Sequence, residues 1–298
     1  MMKVLGIIVG LLLVLALLLL FALKPRYGEK KLTVLRKFRY AHRGLHNAKQ
    51  GIPENSLLAF RYALAGGFGA ELDVHLTKDK RLVVIHDSDL MRVCGVEGKV
   101  EEKNLSELRQ LRLQETNERI PLLEEVLPLF CGKTPLIIEL KTAGGNCREL
   151  CYKVCQMLES YQGEYCLESF DPRVLWWLRR NEPFIIRGQL VENFMKQSEV
   201  GGLNKPMCVL LTSLLANLLT RPDFIACRYA DRNMISARIC WEVLKAPEVS
   251  WTLRSQEELT DAEKNGAIVI FEGFLPEKRK KKKKAAEQET AAAKDKTE

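Results

Sequence analysis

The sequence predicts an α/β fold, a (β/α)₈ barrel preceded by one N-terminal transmembrane helix, and three observations predict it. A single long uncharged run opens the chain. Short apolar stretches then alternate with helical patterns, which implies parallel strands joined by crossover helices. The alternating region holds about 240 residues and roughly eight such units, the size and repeat number of a (β/α)₈ barrel.

The first element is residues 4–23, twenty positions without charge and mostly Leu, Val and Ile. At about 1.5 Å per residue such a helix is roughly 30 Å long, the thickness of a bilayer's hydrocarbon core. A cleavable signal peptide would have a shorter apolar run ending at a small-x-small site. This run ends at Phe21-Ala22-Leu23-Lys24-Pro25 instead, so an uncleaved anchor is expected. Only Lys3 precedes the span, whereas Lys24, Arg26, Lys30, Lys31, Arg36, Lys37 and Arg39 follow it. The positive-inside bias then puts the body on the cytoplasmic side. Nine cysteines, an odd number without regular spacing, read as reduced thiols and agree with that side.

Three regions follow: an anchor with its basic juxtamembrane segment (1–37), a globular body (38–277) and a Lys-rich tail (278–298) expected to be disordered. The formal charge of +8 is unevenly spread. Eight cations against one acid give residues 1–39 a charge of +7, and nine against four give residues 278–298 +5, leaving about −4 for the body. A nucleic-acid groove would be basic within the folded domain, so nucleic acid is excluded as a partner. The basic ends fit a membrane surface instead.

Within the body, strands are expected at 38–41, 69–76, 82–86, 135–140, 165–169, 184–190, 223–227, 248–252 and 267–270. Helices are expected at 56–65, 122–130, 147–160, 172–180, 189–199, 233–245 and 256–264. The link Thr77-Lys78-Asp79-Lys80-Arg81 is too short for a parallel crossover, so 82–86 is expected to return antiparallel to 69–76. With Asp79-Lys80 as a two-residue loop, Thr77 faces Leu82, His75 faces Val84 and Asp73 faces His86. Cys147, Cys151 and Cys155 recur every four residues and read as the buried stripe of a helix. Trp176-Trp177 and the Leu-rich run 209–219 read as packing or lipid-facing surface.

All four histidines lie between positions 42 and 86. Around them stand Arg43, Glu54, Glu71, Asp73 and Asp87, at or just beyond ends of expected strands, where barrel active sites are built. His42 titrates near neutrality, and Arg43 offers a planar fork for phosphate oxygens. Glu71 and Asp73 share one strand face. With Glu139, which ends the apolar run from Pro135, they form a candidate all-oxygen site for a divalent cation, Mg²⁺ or Ca²⁺ rather than zinc. Glu54 either orients the site or favours the helix that follows it, where Asn55 or Ser56 is a good N-cap. Lys141 points to the face of Glu139, either to neutralise phosphate or to pair with that acid.

Taken in order, His42-Arg43-Gly44, Pro53-Glu54-Asn55-Ser56, Glu71-Leu72-Asp73-Val74, Leu76-Thr77-Lys78-Asp79, Val83-Val84-Ile85-His86-Asp87, Glu139-Leu140-Lys141 and Ser169-Phe170-Asp171 resemble the glycerophosphodiester phosphodiesterases over nearly all of 38–272. Trp251-Thr252 resembles a further family position. The resemblance implies a TIM-type barrel and metal-dependent hydrolysis to sn-glycerol 3-phosphate and an alcohol, within glycerophospholipid metabolism. It implies His42 and His86 as the acid–base pair and Glu71, Asp73 and Glu139 as metal ligands. Arg43, Lys141 and Glu54 become substrate-site residues. In the implied mechanism the glycerol 2-hydroxyl attacks phosphorus, and water then opens the cyclic phosphate as the histidines exchange roles. A lipid-borne diester such as a lysophospholipid is the alternative substrate, and a non-catalytic membrane scaffold the alternative function. The chain departs from the family pattern twice: Lys80 stands where a glycine usually follows Lys78-Asp79, and Phe271-Glu272-Gly273 replaces the usual Thr-Asp near the last strand.

Overall fold

The computed structural model describes residues 2–24, 26, 32–196 and 204–279. The chain begins with helix α1 (Met2–Leu23), whose segment Lys3–Phe21 is long and apolar enough to cross a membrane and is not buried against the body. Lys30, Lys31 and nearly all of the expected Lys-rich tail lie outside the described residues.

The body is a closed barrel of eight parallel strands: β1 (Tyr40–Ala41), β2 (Gly69–Leu76), β4 (Leu136–Leu140), β5 (Tyr165–Ser169), β6 (Arg187–Val191), β7 (Phe224–Arg228), β8 (Glu248–Leu253) and β9 (Ile268–Phe271). β1 pairs with both β2 and β9, which leaves no open edge within the barrel. The ninth strand, β3 (Leu82–Val84), lies antiparallel against β2, as the short link requires. Crossover helices are α2 (Leu57–Ala65), α3 (Leu123–Phe130), α4 (Cys147–Leu158), α5 (Pro172–Asn181), α6 (Lys205–Thr212) and α7 (Gln256–Lys264). α3, α4 and α5 bury apolar stripes in the core, and Cys147, Cys151 and Cys155 belong to that of α4. The cysteines are free thiols.

The barrel interior is layered. Tyr40, Ile137, Cys166, Phe224, Val249 and Ile268 pack as an apolar floor, with Leu32 and Leu35 buried in the same cluster. Above it the interior turns acidic. Ladder register sets Asp73 beside Glu139 and Glu139 beside Glu168 on β2, β4 and β5.

Two expectations are corrected. The hairpin register is one residue off: His75 pairs with Val83 and Leu76 with Leu82, and the Ile85 amide donates to the Asp73 carbonyl at 3.0 Å. The loop holds three residues, closed by Lys80 N–H to Thr77 O (3.0 Å) and Thr77 N–H to Arg81 O (2.9 Å), with Lys80 at φ +64°. A turn followed by a left-handed residue is the usual three-residue hairpin link, and the resulting bulge shifts every later pair. His86 stands two residues beyond the end of β3. Of the helix expected at 189–199, the described part keeps only a 3₁₀ turn at Phe194–Lys196, because Gln189, Leu190 and Val191 complete β6 instead. There the β-branched and apolar residues buried within the sheet outweigh a helical pattern that is only local.

The left-handed Lys80 carries a testable cost. A non-glycine residue there loses about 1 kcal/mol or more, while its ion pair with Glu149, half-exposed on both sides, returns less than that. Lys80→Gly is expected to raise unfolding stability by about 0.5–1 kcal/mol; a lower midpoint in urea would show that the ion pair dominates.

Residues 88–121, unassigned from sequence, form a small subdomain over β3. Val93, Val100, Leu108 and Ile120 pack with Val83 and Ile85, which fixes the segment carrying His86 from its outer side.

Candidate active site

A pocket of about 330 Å³ opens at the carboxyl ends of the strands, lined by His42, Arg43, Glu71, His86, Glu139 and Lys141 among others. Asp73 is fully buried just beneath it and Glu54 stands behind Arg43. The structure thus gathers all eight candidates at one place.

The acids come from strand alternation. Glu71 and Asp73 point inward from β2 and Glu139 from β4, and one oxygen of each lies within 4.8 Å of the others. Burial, followed by the charges of Asp73, Glu139 and Glu168, pushes the Glu71 carboxyl well up. Burial also raises Glu139, although Lys141 opposes the shift. Asp73 goes the other way: burial penalises its charge, but Lys141, His86, Arg43 and an Asn55 hydrogen bond hold it below the usual carboxylate range. Asn55 Nδ2 donates to Asp73 Oδ2 at 2.8 Å, while Asp73 Oδ1 is 3.2 Å from Lys141 Nζ without forming a hydrogen bond. Three buried hard-oxygen donors with mutual repulsion fit a divalent cation.

His42 follows β1, and its amide is held by the Phe271 carbonyl at 2.9 Å. That contact brings Glu272 alongside, so His42 Nδ1 donates to Glu272 Oε2 at 2.9 Å. Nε2 is turned inward, 3.8 Å from Glu71. Burial, reinforced by Arg43 and opposed by Glu272, pushes the His42 imidazole down to about 4. His86 has the same arrangement, with Nδ1 2.6 Å from Asp87 Oδ1. A carboxylate only accepts, so in both rings Nδ1 carries a proton and Nε2 is left to exchange one.

Arg43 sits in the left-handed region at φ +54°, as does Asn55 at +52°. The next residue explains the turn: a Cβ on Gly44 would lie 2.8 Å from the Ala59 Cβ, so only glycine lets this loop rest on α2. The Ser56 hydroxyl caps α2 by accepting from Ala59 N–H at 3.0 Å. Arg43 Nη1 donates to Glu54 Oε1 at 2.9 Å, and Arg92 donates to both Glu54 oxygens at 2.7 and 2.8 Å. Arg92 also pairs with Asp87. A continuous charged chain therefore runs from His86 through Asp87, Arg92 and Glu54 to Arg43. Glu54 spends both oxygens on arginines, and Lys141 spans Asp73 and Glu139 at 3.2 and 2.9 Å.

Several pocket residues escaped the sequence reading. Glu168 is buried beside Glu139 with Oε2 unpartnered; burial and the neighbouring acids push its carboxyl well up. Its signal was an acid inside the apolar run of β5, the same signal that marked Glu139. Glu272 was noticed only as a departure, and its partner lies 230 positions away. Arg92 had no local signal. Phe170 and Trp251, which belong to the motifs Ser169-Phe170-Asp171 and Trp251-Thr252, pack edge to face on the pocket wall, 5.6 Å between ring centroids. His75, unassigned from sequence, stands 2.6 Å from Glu101 and 3.0 Å from the His86 carbonyl, where it holds the His86 backbone.

The chain is similar to known phosphodiesterases in sequence and in fold. The chain is 40% identical over 134 residues to a glycerophosphodiester phosphodiesterase of Bacillus altitudinis, a match covering 42% of this chain and 54% of that one. It is 34% identical over 170 residues to an uncharacterized protein of Bacillus subtilis strain 168, covering 54% and 69%. A lysophospholipase D of Rattus norvegicus is 35% identical over 125 residues, 38% of either chain. Among solved structures, an Oleispira antarctica phosphodiesterase in complex with the product sn-glycerol-3-phosphate shares the fold, with a TM-score of 0.63, 22% identity and coverage of 79% and 92%. A Thermotoga maritima glycerophosphodiester phosphodiesterase gives 0.59, 25% identity and coverage of 78% and 93%. The family model for glycerophosphoryl diester phosphodiesterases matches residues 42–205. That match starts on His42 and covers more than half the chain, and this protein belongs to the glycerophosphoryl diester phosphodiesterase family.

Proposed function

We propose that this protein hydrolyses glycerophosphodiesters to sn-glycerol 3-phosphate and an alcohol, with His42 and His86 as the acid–base pair. The observation that carries this reading is that two imidazoles, each backed by a carboxylate on Nδ1, face one pocket floored by three carboxylates. Glu71, Asp73 and Glu139 would hold a divalent cation, Mg²⁺ or Ca²⁺, which when bound offsets negative charge on the phosphoryl oxygens.

The chain's own residues supply the rest. His42, kept neutral by burial, takes the proton of the glycerol 2-hydroxyl as that oxygen attacks phosphorus. His86, oriented by Asp87, protonates the departing alkoxide, and the roles reverse when water opens the cyclic phosphate. Arg43 and Lys141 face the phosphate oxygens. Glu54 acts through Arg43 and Arg92 as a positioning residue. Purified full chain is expected to release glycerol 3-phosphate from glycerophosphocholine with Mg²⁺ or Ca²⁺ and to stop in chelator. Release undiminished by chelator would overturn the metal assignment, and no release with any divalent ion would overturn the activity.

Glu272 orients His42, so Glu272→Gln is expected to lower kcat by about tenfold or more with little change in KM. Its charge also opposes the lowering of the His42 pKa, so the acidic limb of the rate profile should move further down; an unchanged kcat and profile would remove Glu272 from the site.

In the same reading residues 1–37 anchor the protein, 38–277 form the catalytic domain on the cytoplasmic side, and 278–298 are a basic tail that meets the membrane surface. A lipid-borne diester is the second substrate reading, favoured by the membrane-competent α1 and by the similarity to a lysophospholipase D. Relative rates on glycerophosphocholine and lysophosphatidylcholine decide between the two.

A further inference from the structure

Outside α1, the described residues include thirteen exposed large apolar side chains, and seven of them fall between Met195 and Val243. Singly exposed apolar residues are ordinary, whereas a contiguous set marks an interaction surface. Here three of the seven, Met195, Val209 and Ile235, line one groove. Val209 of α6, Ile235 and Met195 meet around an open groove of about 710 Å³ together with Leu215 and Met234. Ile235 is 80% exposed, and beside the groove Leu219 of the short helix Asn217–Thr220 is 60% exposed.

The same groove is lined by Leu19 of α1. Leu19 and Phe21 belong to the segment long enough to cross a bilayer. Arg221, immediately after Asn217–Thr220, stacks 3.8 Å from the Phe21 ring centroid and donates to the Phe21 and Lys24 carbonyls at 3.1 and 3.3 Å. With α1 read as an anchor, body residues that touch its last turn would lie at the depth where hydrocarbon meets headgroups. Cations rim the patch: Arg179 donates to the Leu219 carbonyl at 2.7 Å, and Lys196 and Lys205 are exposed. Apolar side chains ringed by snorkelling cations are the pattern of an interfacial membrane contact.

The groove also adjoins the catalytic pocket. Glu192 lines the pocket and Asn193 lines the groove, so the loop after β6 divides them.

We propose that this flank of the barrel, from α6 through Asn217–Thr220 to Ile235, is a second membrane contact. It seats the domain in the boundary layer of the bilayer that holds α1, with an acyl chain of a bilayer lipid in the groove. The proposal rests on the reading of α1 as an anchor, and its test separates the two. The full chain is reconstituted in phosphatidylcholine vesicles containing a phosphatidylcholine with a diazirine on its acyl chain, irradiated, digested and mapped by mass spectrometry. Adducts are expected on α1 and on peptides spanning 205–221 and 230–243. Adducts on α1 alone overturn the seat while leaving the anchor intact, and a chain with no adducts on α1 loses the anchor itself. The Leu219→Glu/Ile235→Glu double variant is expected to keep its α1 adducts and thermal midpoint and to lose at least tenfold of the flank labelling; unchanged flank labelling overturns the seat. If a second copy covered the groove, the flank would escape the lipid label in vesicles and become open to hydroxyl-radical oxidation in nanodiscs holding one chain, which also overturns it.

Discussion

Replacing His42 or His86 by alanine is expected to lower turnover of glycerophosphocholine by about 10²–10⁴-fold, the range for loss of a positioned acid–base group. The loss should fall on kcat with KM nearly unchanged, because the phosphate contacts proposed for Arg43 and Lys141 would remain. In the proposed mechanism the two histidines serve the same proton transfers, so the double variant should lose far less than the product of the single losses. Neither ring belongs to the apolar core, so the thermal midpoints should stay close to that of the parent. Both imidazoles are backed by carboxylates, and removing one leaves Glu272 or Asp87 with an arginine partner, Arg254 or Arg92. A His42→Ala enzyme at full rate would end the acid–base assignment.

The second large effect concerns Glu71. Its carboxyl is buried, faces Asp73, Glu139 and Glu168, and is pushed well above the ordinary range. A group whose folded pKa is raised gives stability that is complete below its unfolded value and is lost as pH rises toward the folded one. In chelator, therefore, Glu71 should destabilise the protein increasingly as pH rises above the ordinary carboxylate range. Glu71→Gln retains an oxygen to accept from the Arg43 amide, now 3.0 Å away, and removes the charge. The variant is expected to be about 1–3 kcal/mol more stable than the parent without metal, with the gap widening as pH rises. It should bind Mg²⁺ or Ca²⁺ on the order of 100-fold more weakly and lose divalent-dependent hydrolysis. Thermal melts in chelator and with added ion, at several pH values, measure both halves. A variant less stable in chelator, yet still stabilised by the ion, would show that Glu71 is a structural acid and not a ligand. Asp73 offers the contrast. Its charge is compensated by Lys141, Arg43 and Asn55, so its neutralisation gives up one of the two anions each cation faces and should destabilise the fold.

What the residues disclosed unaided was whatever depends on local order. Alternating apolar runs and helical patterns identified a parallel barrel, because period and spacing are properties of neighbours along the chain. A twenty-residue uncharged run identified a helix able to cross a membrane. Motifs such as His42-Arg43-Gly44 and Glu71-Leu72-Asp73 marked the chemistry, because charged side chains at the ends of apolar strands are costly without a purpose. What only the tertiary structure decided was which of these residues meet. Strand register sets Asp73, Glu139 and Glu168 in one row, and a one-residue slip would turn one of them away from the others. That slip did occur in the reading of the hairpin, where a left-handed Lys80 makes the loop one residue longer than the sequence implied. Barrel closure brings Glu272 onto His42 across 230 positions, and an inserted subdomain delivers Arg92 to Asp87 and Glu54. No periodicity encodes such contacts, since they arise only when β9 pairs with β1 and the chain returns to its start.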